Sequence, residues 1–293
     1  MKQKEIEPSS FYRAGQGNWR RFKEVGFSMD VVRARAAIWK DRLSGIEKPW
    51  LCWNVDSDWC LVQQKLVRHV GWTPVIGFDP RVGPPRDLLP EAVVVDFNEG
   101  LGLPVLYPHF VMEFAFLWAP RLAFWHSDLL VRLPLLESIA SEFNALKPGE
   151  IFVTKSDQGW RHAFSKRYRR HWELIGCTTM EASKDQFDKG CGWWMGFADH
   201  INCPSDEERK RRAGYYWDHG TGIYYWHRRY HGPTKVLSGR AIHEGHCTKI
   251  GNSKYRRSVP KDTDDSQRSM ASDLARNYDL REICKRMGLD ILQ

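Results

Sequence analysis

From Trp50 to Lys155 the chain alternates short apolar, β-branched runs with helical stretches that carry one apolar face. This alternation constrains the fold more than any other feature. The runs are "WLCWNV" from Trp50, "TPVIGFDP" from Thr73, "EAVVVDF" from Glu91, "RLAFWHSDLLV" from Arg121 and "EIFVTK" from Glu150. They are bounded by Gly, Pro and Asp, as buried strands are. Between them, Trp59, Val62, Leu66 and Val70 share one helical face, and so do Leu136, Ile139, Phe143 and Leu146 behind Pro134. A further helix is expected over Phe110 to Trp118. Strands and helices in this order predict an α/β fold with a mainly parallel central sheet flanked by helices.

The flanking regions differ in texture. Residues 1–49 read as a polar, basic arm followed by a helix with Val32, Ala36, Trp39 and Leu43 on one face, capped by Asp30 and ended by Gly45. Residues 50–155 form the first half of the domain. Residues 156–260 are rich in Trp, Tyr, His, Gly and Arg with frequent turn signals, and read as a binding half laid over the sheet. Residues 261–293 form a tail in which Leu280, Ile283, Met287 and Leu289 predict a short docked helix.

Composition narrows the setting. No apolar run approaches the roughly 20 residues that a membrane helix needs, and the charged N-terminus has no apolar stretch behind it. Seven widely spaced cysteines suit a reducing compartment better than a disulfide framework, so a cytoplasmic location is expected. A formal charge of +8 points to anionic partners: nucleotide phosphates, nucleic acid or acidic glycans.

His126, Ser127 and Asp128 interrupt the apolar run of "LAFWHSDLLV". Polar residues at the end of a buried parallel strand stand where open α/β sheets place ligands. A carboxylate there can hold a divalent cation that neutralises a diphosphate, and the competing reading is a turn cap. The literal Asp-x-Asp at Asp56 and Asp58 precedes an amphipathic helix, where an Asp is ordinarily the N-cap.

In this respect the chain resembles the GT-A-fold glycosyltransferases, over approximately residues 50–250 and by element order more than by strict motif. Those enzymes share a nucleotide-binding α/β half and a short acidic "DxD" motif that closes a strand and binds the metal and the donor phosphates. "FWHSDLLV", followed by a helix and "GEIFVTK", looks like that strand and its successor, with His126 standing where the first acidic residue is expected. The resemblance implies glycosyl transfer from a nucleotide-sugar donor, with Mn²⁺ or Mg²⁺ as the cofactor. It assigns Asp128, His126 and the late His246 to the metal. Trp53, Asn54, Asp56, Asp79, Arg81 and Ser127 fall to the donor, and Trp193, Trp194 and His219 to the acceptor. Asp218 is the first candidate for taking the acceptor hydroxyl's proton. Asp199 and Glu181 join it as candidate catalytic carboxylates, and Glu173 as a hydroxyl-binding one. Asp218 and His219 sit before a Gly-Thr-Gly turn, read as lying between aromatic strands. The acceptor is left open among glycan, protein and nucleic acid.

Two other classes compete. Cys177, Cys191, His200, Cys203, His246 and Cys247 could supply a tetrahedral zinc site in a nucleic-acid-binding protein, although no paired CxxC occurs. Basic clusters at Lys166 to Arg170, Lys210 to Arg212, His227 to Arg229 and Lys254 to Arg257, interleaved with Tyr and Trp, suit a phosphate backbone and stacked bases. They also suit a glycosyltransferase that modifies a nucleic-acid base. The remaining alternative is a GT-A-like scaffold that binds a glycan or nucleotide without turnover.

Overall fold

The computed structural model describes residues 28–80, 82–103, 106–155, 164–166, 169–193, 198, 200–215, 219–242, 245 and 279–289. A seven-stranded sheet organises them: β1 (Pro49–Asn54), β2 (Thr73–Phe78), β3 (Val93–Val94), β4 (Arg121–Trp125), β5 (Ile151–Lys155), β6 (His171–Thr179) and β7 (Thr234–Ser238). Their spatial order is β3-β2-β1-β4-β6-β5-β7. β1 runs parallel to β2 and β4, β2 to β3, and β5 to β7, while β6 is antiparallel to both β4 and β5. The fold is therefore α/β with a mixed, mostly parallel sheet.

The described helices are α1 (Met29–Arg42), α2 (Ser57–His69), α3 (Pro108–Glu113), α4 (Leu133–Asn144), α5 (Met180–Asp188), α6 (Asp206–Arg212), α7 (Thr221–Arg229) and α8 (Leu280–Met287). Asp56 caps α2 as its position predicts, its carboxylate accepting from the amides of Asp58 and Trp59. The cap of α1 differs from the expectation. Ser28 accepts from Val31 N, which places Asp30 inside the first turn, where its charge favours the helix N-terminus. α8 forms as expected and buries Ile283, Cys284 and Met287. No described helix is long and apolar enough to cross a membrane.

β1 is buried along its whole length, as a central strand covered on both faces must be. Trp50 packs edge-on to Trp72 and tilted against Trp125 and Phe143, which joins β1, β4 and α4 through aromatic contacts. Trp53, on the same strand, stacks on Phe97 and lies across Gly77 of β2, where a Cβ would meet its indole. Gly77→Ala is accordingly expected to destabilise the protein by about 1–3 kcal/mol through overpacking. Urea unfolding would measure this, and an unchanged midpoint would show that the indole can move aside.

Part of the second half lies within the sheet rather than over it. β6 enters it between β4 and β5, pairing Arg121 with Thr179 and Trp125 with Ile175 on one side and Ile151 with Thr178 on the other. The reason is visible in its burial: Glu173 to Thr179 is buried without a break, so the segment needs cover on both faces. "GTGIYYWHRR" also departs from the expected strand. Thr221–Arg229 is a helix, begun at Gly220 with a left-handed φ of 74° and burying Ile223 and Trp226 one turn apart. The six described cysteines are free thiols.

Candidate functional site

The chain lays β1, β2 and β3 outward on one side, then returns to place β4 on the other side of β1. Strand order thus reverses between β1 and β4, and the crevice outside their carboxyl ends is where an open α/β sheet binds ligands. β1 pairs with β4 through Trp50 opposite Ala123 and Leu51 opposite Phe124. Asn54 ends β1 and Ser127 follows the end of β4 by two residues, so both stand at the carboxyl ends of this pair.

The polar residues predicted to interrupt the apolar run fall immediately after β4, in a turn held from three directions. The amide of Gln63, wholly buried on α2, donates to the carbonyls of His126 and Leu129 at 2.8 and 2.9 Å. His126 N donates to Leu174 O of β6, and Leu130 N to Gly245 O. Gly245, which lies directly before His246 in sequence, is thus held two residues beyond Asp128. His246 itself lies outside the described residues, as do Arg81, Trp194, Asp199 and Asp218, together with Cys247 of the alternative zinc set.

The side chains at this turn form a buried carboxylate–imidazole cluster. His126 Nδ1 is 3.4 Å from Asp128 Oδ1, and its Nε2 is 3.2 Å from Glu173 Oε1. The same Glu173 oxygen is 3.3 Å from His109 Nε2, and the His109 ring stacks on His219 with centroids 3.4 Å apart. Asp128, Glu173, His109 and His219 are buried, whereas the His126 side chain keeps 29% exposure and forms the cluster's solvent-facing edge.

Electrostatics assign the protons. Burial disfavours charge on His126, but contacts with Asp128 and Glu173 outweigh it and raise its pKa to about 10, so the ring is an imidazolium at neutral pH. Burial also pushes the Glu173 carboxyl up, and His109 and His126 overcome it and hold the group well below the usual carboxylate range. His219 is held well below 6.5 by burial first and then by His109, and stays neutral.

These states decide which side chains suit a cation. Asp128 offers a buried hard-oxygen ligand of the kind Mg²⁺ or Mn²⁺ takes. His126 does not fit as a ligand in this arrangement, because an imidazolium facing a carboxylate at each nitrogen has no lone pair to give. Among the described residues, no group of three His, Cys, Asp or Glu is disposed to hold a metal ion.

The other candidates divide by position. Asn54 donates to Gly83 O at 2.9 Å and ties the loops after β1 and β2 together, and Asp79 lies buried at the end of β2 on the same edge. Ser127 sits in the central turn. Trp53 is in the core against Phe97, and Trp193 is buried edge-on to Phe124. Glu181 is not brought to the cluster. It follows the far end of β6, which starts beside His126, and about 3.3 Å of rise per residue carries it to the opposite edge of the sheet.

Sequence reading missed His109, which stands one turn from Glu113 on α3 and shares its face. Glu113 accepts from His200 Nε2 at 2.7 Å, and His200 Nδ1 in turn accepts from Asn202 N, which fixes the neutral tautomer. Polar residues four apart in the apolar "PHFVME" were the available signal.

A comparison with protein families, with curated proteins and with solved structures finds no match for this chain.

Proposed function

We propose that the protein is a glycosyltransferase acting on a nucleotide-sugar donor bound at the carboxyl ends of β1 and β4. The observation that carries this reading is the cluster of Asp128, His126 and Glu173 at the point where strand order reverses. The order of elements agrees with the resemblance: an acidic residue stands in the turn after β4, followed by α4 and β5. Asp128 would hold a Mn²⁺ or Mg²⁺ ion, assisted by His246, and the cation would neutralise the donor diphosphate. His126 serves as a second positive group, its exposed edge facing the crevice where a phosphate would replace water. Glu173 keeps that ring charged and oriented, and Gln63 fixes the backbone that carries it. Asn54, Asp79 and Ser127 line the same edge for the nucleotide. The acceptor's proton passes to a carboxylate, for which Asp218, next to His219 in sequence, is the candidate.

A thermal-shift series with nucleotide sugars, with and without Mn²⁺, tests the reading. One nucleotide class at about 100 times its Kd should stabilise the protein by about 2.7 kcal/mol. Asp128→Asn should remove the metal-dependent part of that shift while the unliganded protein still folds. No shift with any donor, or a metal-dependent shift that survives in Asp128→Asn, would overturn the assignment.

A further inference from the structure

The carboxyl edge that holds the cluster continues across β5, β6 and β7, and there it is cationic. Lys155 ends β5 opposite His171 of β6 and Ser238 of β7, so the approach to β6 and the exit from β7 share one edge. Lys166, Arg169 and Arg170 lie on that approach, and Arg240 follows β7. His171, next to Arg170, donates its amide to the carbonyl of Gly220, the residue after His219, which puts the basic rim beside the cluster.

Aromatic rings are interleaved with these cations. Lys166 Nζ is 5.9 Å above the Tyr215 ring, Arg170 Cζ is 6.0 Å above Trp172, and Phe164 is 81% exposed. Solvated lysines and arginines need no such companions. Alternating cations and rings instead match a chain that alternates phosphates and flat bases. The basic pair Arg228 and Arg229 lies elsewhere. α7 starts beside His171 and ends just before Pro233, whose carbonyl accepts from Ile151 at the opposite end of β5.

We propose that the rim formed by Lys155, Lys166, Arg169, Arg170, Arg240 and Phe164 binds single-stranded nucleic acid and presents it to the cluster as the acceptor. The acceptor role rests on the glycosyltransferase reading; the binding surface does not.

Fluorescence anisotropy of the full chain with a labelled, mixed-sequence single-stranded DNA oligonucleotide tests the surface. With about four phosphates neutralised, log K should fall with log[NaCl] with a slope of about −3. The double variant Arg169→Glu/Arg170→Glu should weaken binding at least about thirtyfold, and Phe164→Ala about tenfold. Arg228→Glu/Arg229→Glu makes the same charge change at the far edge and should cost only a few-fold. If the Arg169/Arg170 variant fails to fold, Lys166→Glu/Arg240→Glu makes the same test on exposed positions. Absence of binding at low salt, or equal loss in the near-edge and far-edge variants, would overturn the surface. Heparin competing as well as the oligonucleotide would reassign it to polyanions in general. A donor-induced thermal shift without oligonucleotide binding would sink this surface alone, whereas oligonucleotide binding without any donor shift would sink the enzyme reading alone.

Discussion

Replacing Glu173 by alanine is expected to lower stability by about 3–5 kcal/mol and the melting temperature by roughly 10 °C, because it leaves the buried His109 and the partly exposed His126 without their shared carboxylate. The change also has a pH signature that a simple packing defect would lack. The folded pKa of His126, about 10, exceeds its ordinary 6.5, so its contribution is fully present below 6.5 and is lost as pH rises towards 10. Glu173 is depressed, so its contribution is present above 4.5 and lost as pH falls through its folded value. His219 acts in the other direction from His126: held neutral, it costs stability as pH falls below 6.5. These three groups together therefore favour the folded state most near pH 6.5. Glu173→Ala removes one of the carboxylates that raise the His126 pKa, so the decline from 6.5 towards 10 should become shallower. Urea unfolding across that range measures both effects. An alkaline limb identical to wild type would show that Glu173 does not hold the His126 proton.

The second large effect concerns Gly245. A Cβ there would collide with the Leu130 carbonyl oxygen, a backbone atom of the stretch that follows Asp128, and would press on the Met287 side chain of α8. The Leu130 oxygen cannot withdraw without moving the turn, which Gln63 holds from the other side. Gly245→Ala should therefore weaken metal-dependent donor binding by about tenfold or more, the scale on which disturbed ligand support acts, with the far-ultraviolet circular dichroism unchanged. Gly214→Ala is the matched control, since a Cβ there meets only Lys166 Cδ at 3.5 Å. Unchanged donor and metal affinity in Gly245→Ala would mean that the 245 segment plays no part at the site.

Wherever local pattern decides structure, it was readable. β1, β2 and β5 announced themselves as apolar runs, α2 and α4 by apolar faces of helical period, and α8 by Ile283 and Met287 one turn apart. Asp56 was legible as a cap because capping involves only neighbours in sequence. The site was half legible. Asp128 and His126 stand out as polar residues in an apolar run, and Glu173 is legible as a hydroxyl-binding carboxylate but not as the partner of His109 and His126. His109 was hidden, since a His in an apolar helix carries no mark of what it will face. Glu181 was drawn in as an acidic residue, although β6 carries it to the other end of the sheet.

α7 shows the limit on secondary structure. Aromatic and β-branched residues around Gly222 favour a strand locally, yet burial of Ile223 and Trp226 on one side and a hydrogen bond from Tyr225 to Glu208 make it a helix. The antiparallel insertion of β6 is a longer-range case of the same kind. A buried strand has the same composition whichever way it runs and whichever neighbours it takes.

By itself, then, the sequence determined the fold class, the succession of strands and helices before Lys155, and the strand end that carries Asp128, because periodicity, capping and strand polarity are local. Only the tertiary structure decided that β6 lies between β4 and β5, and that His109, His126, Asp128, Glu173 and His219 meet. Those contacts join residues far apart in the chain, and pairing register and burial, which no local pattern encodes, select them.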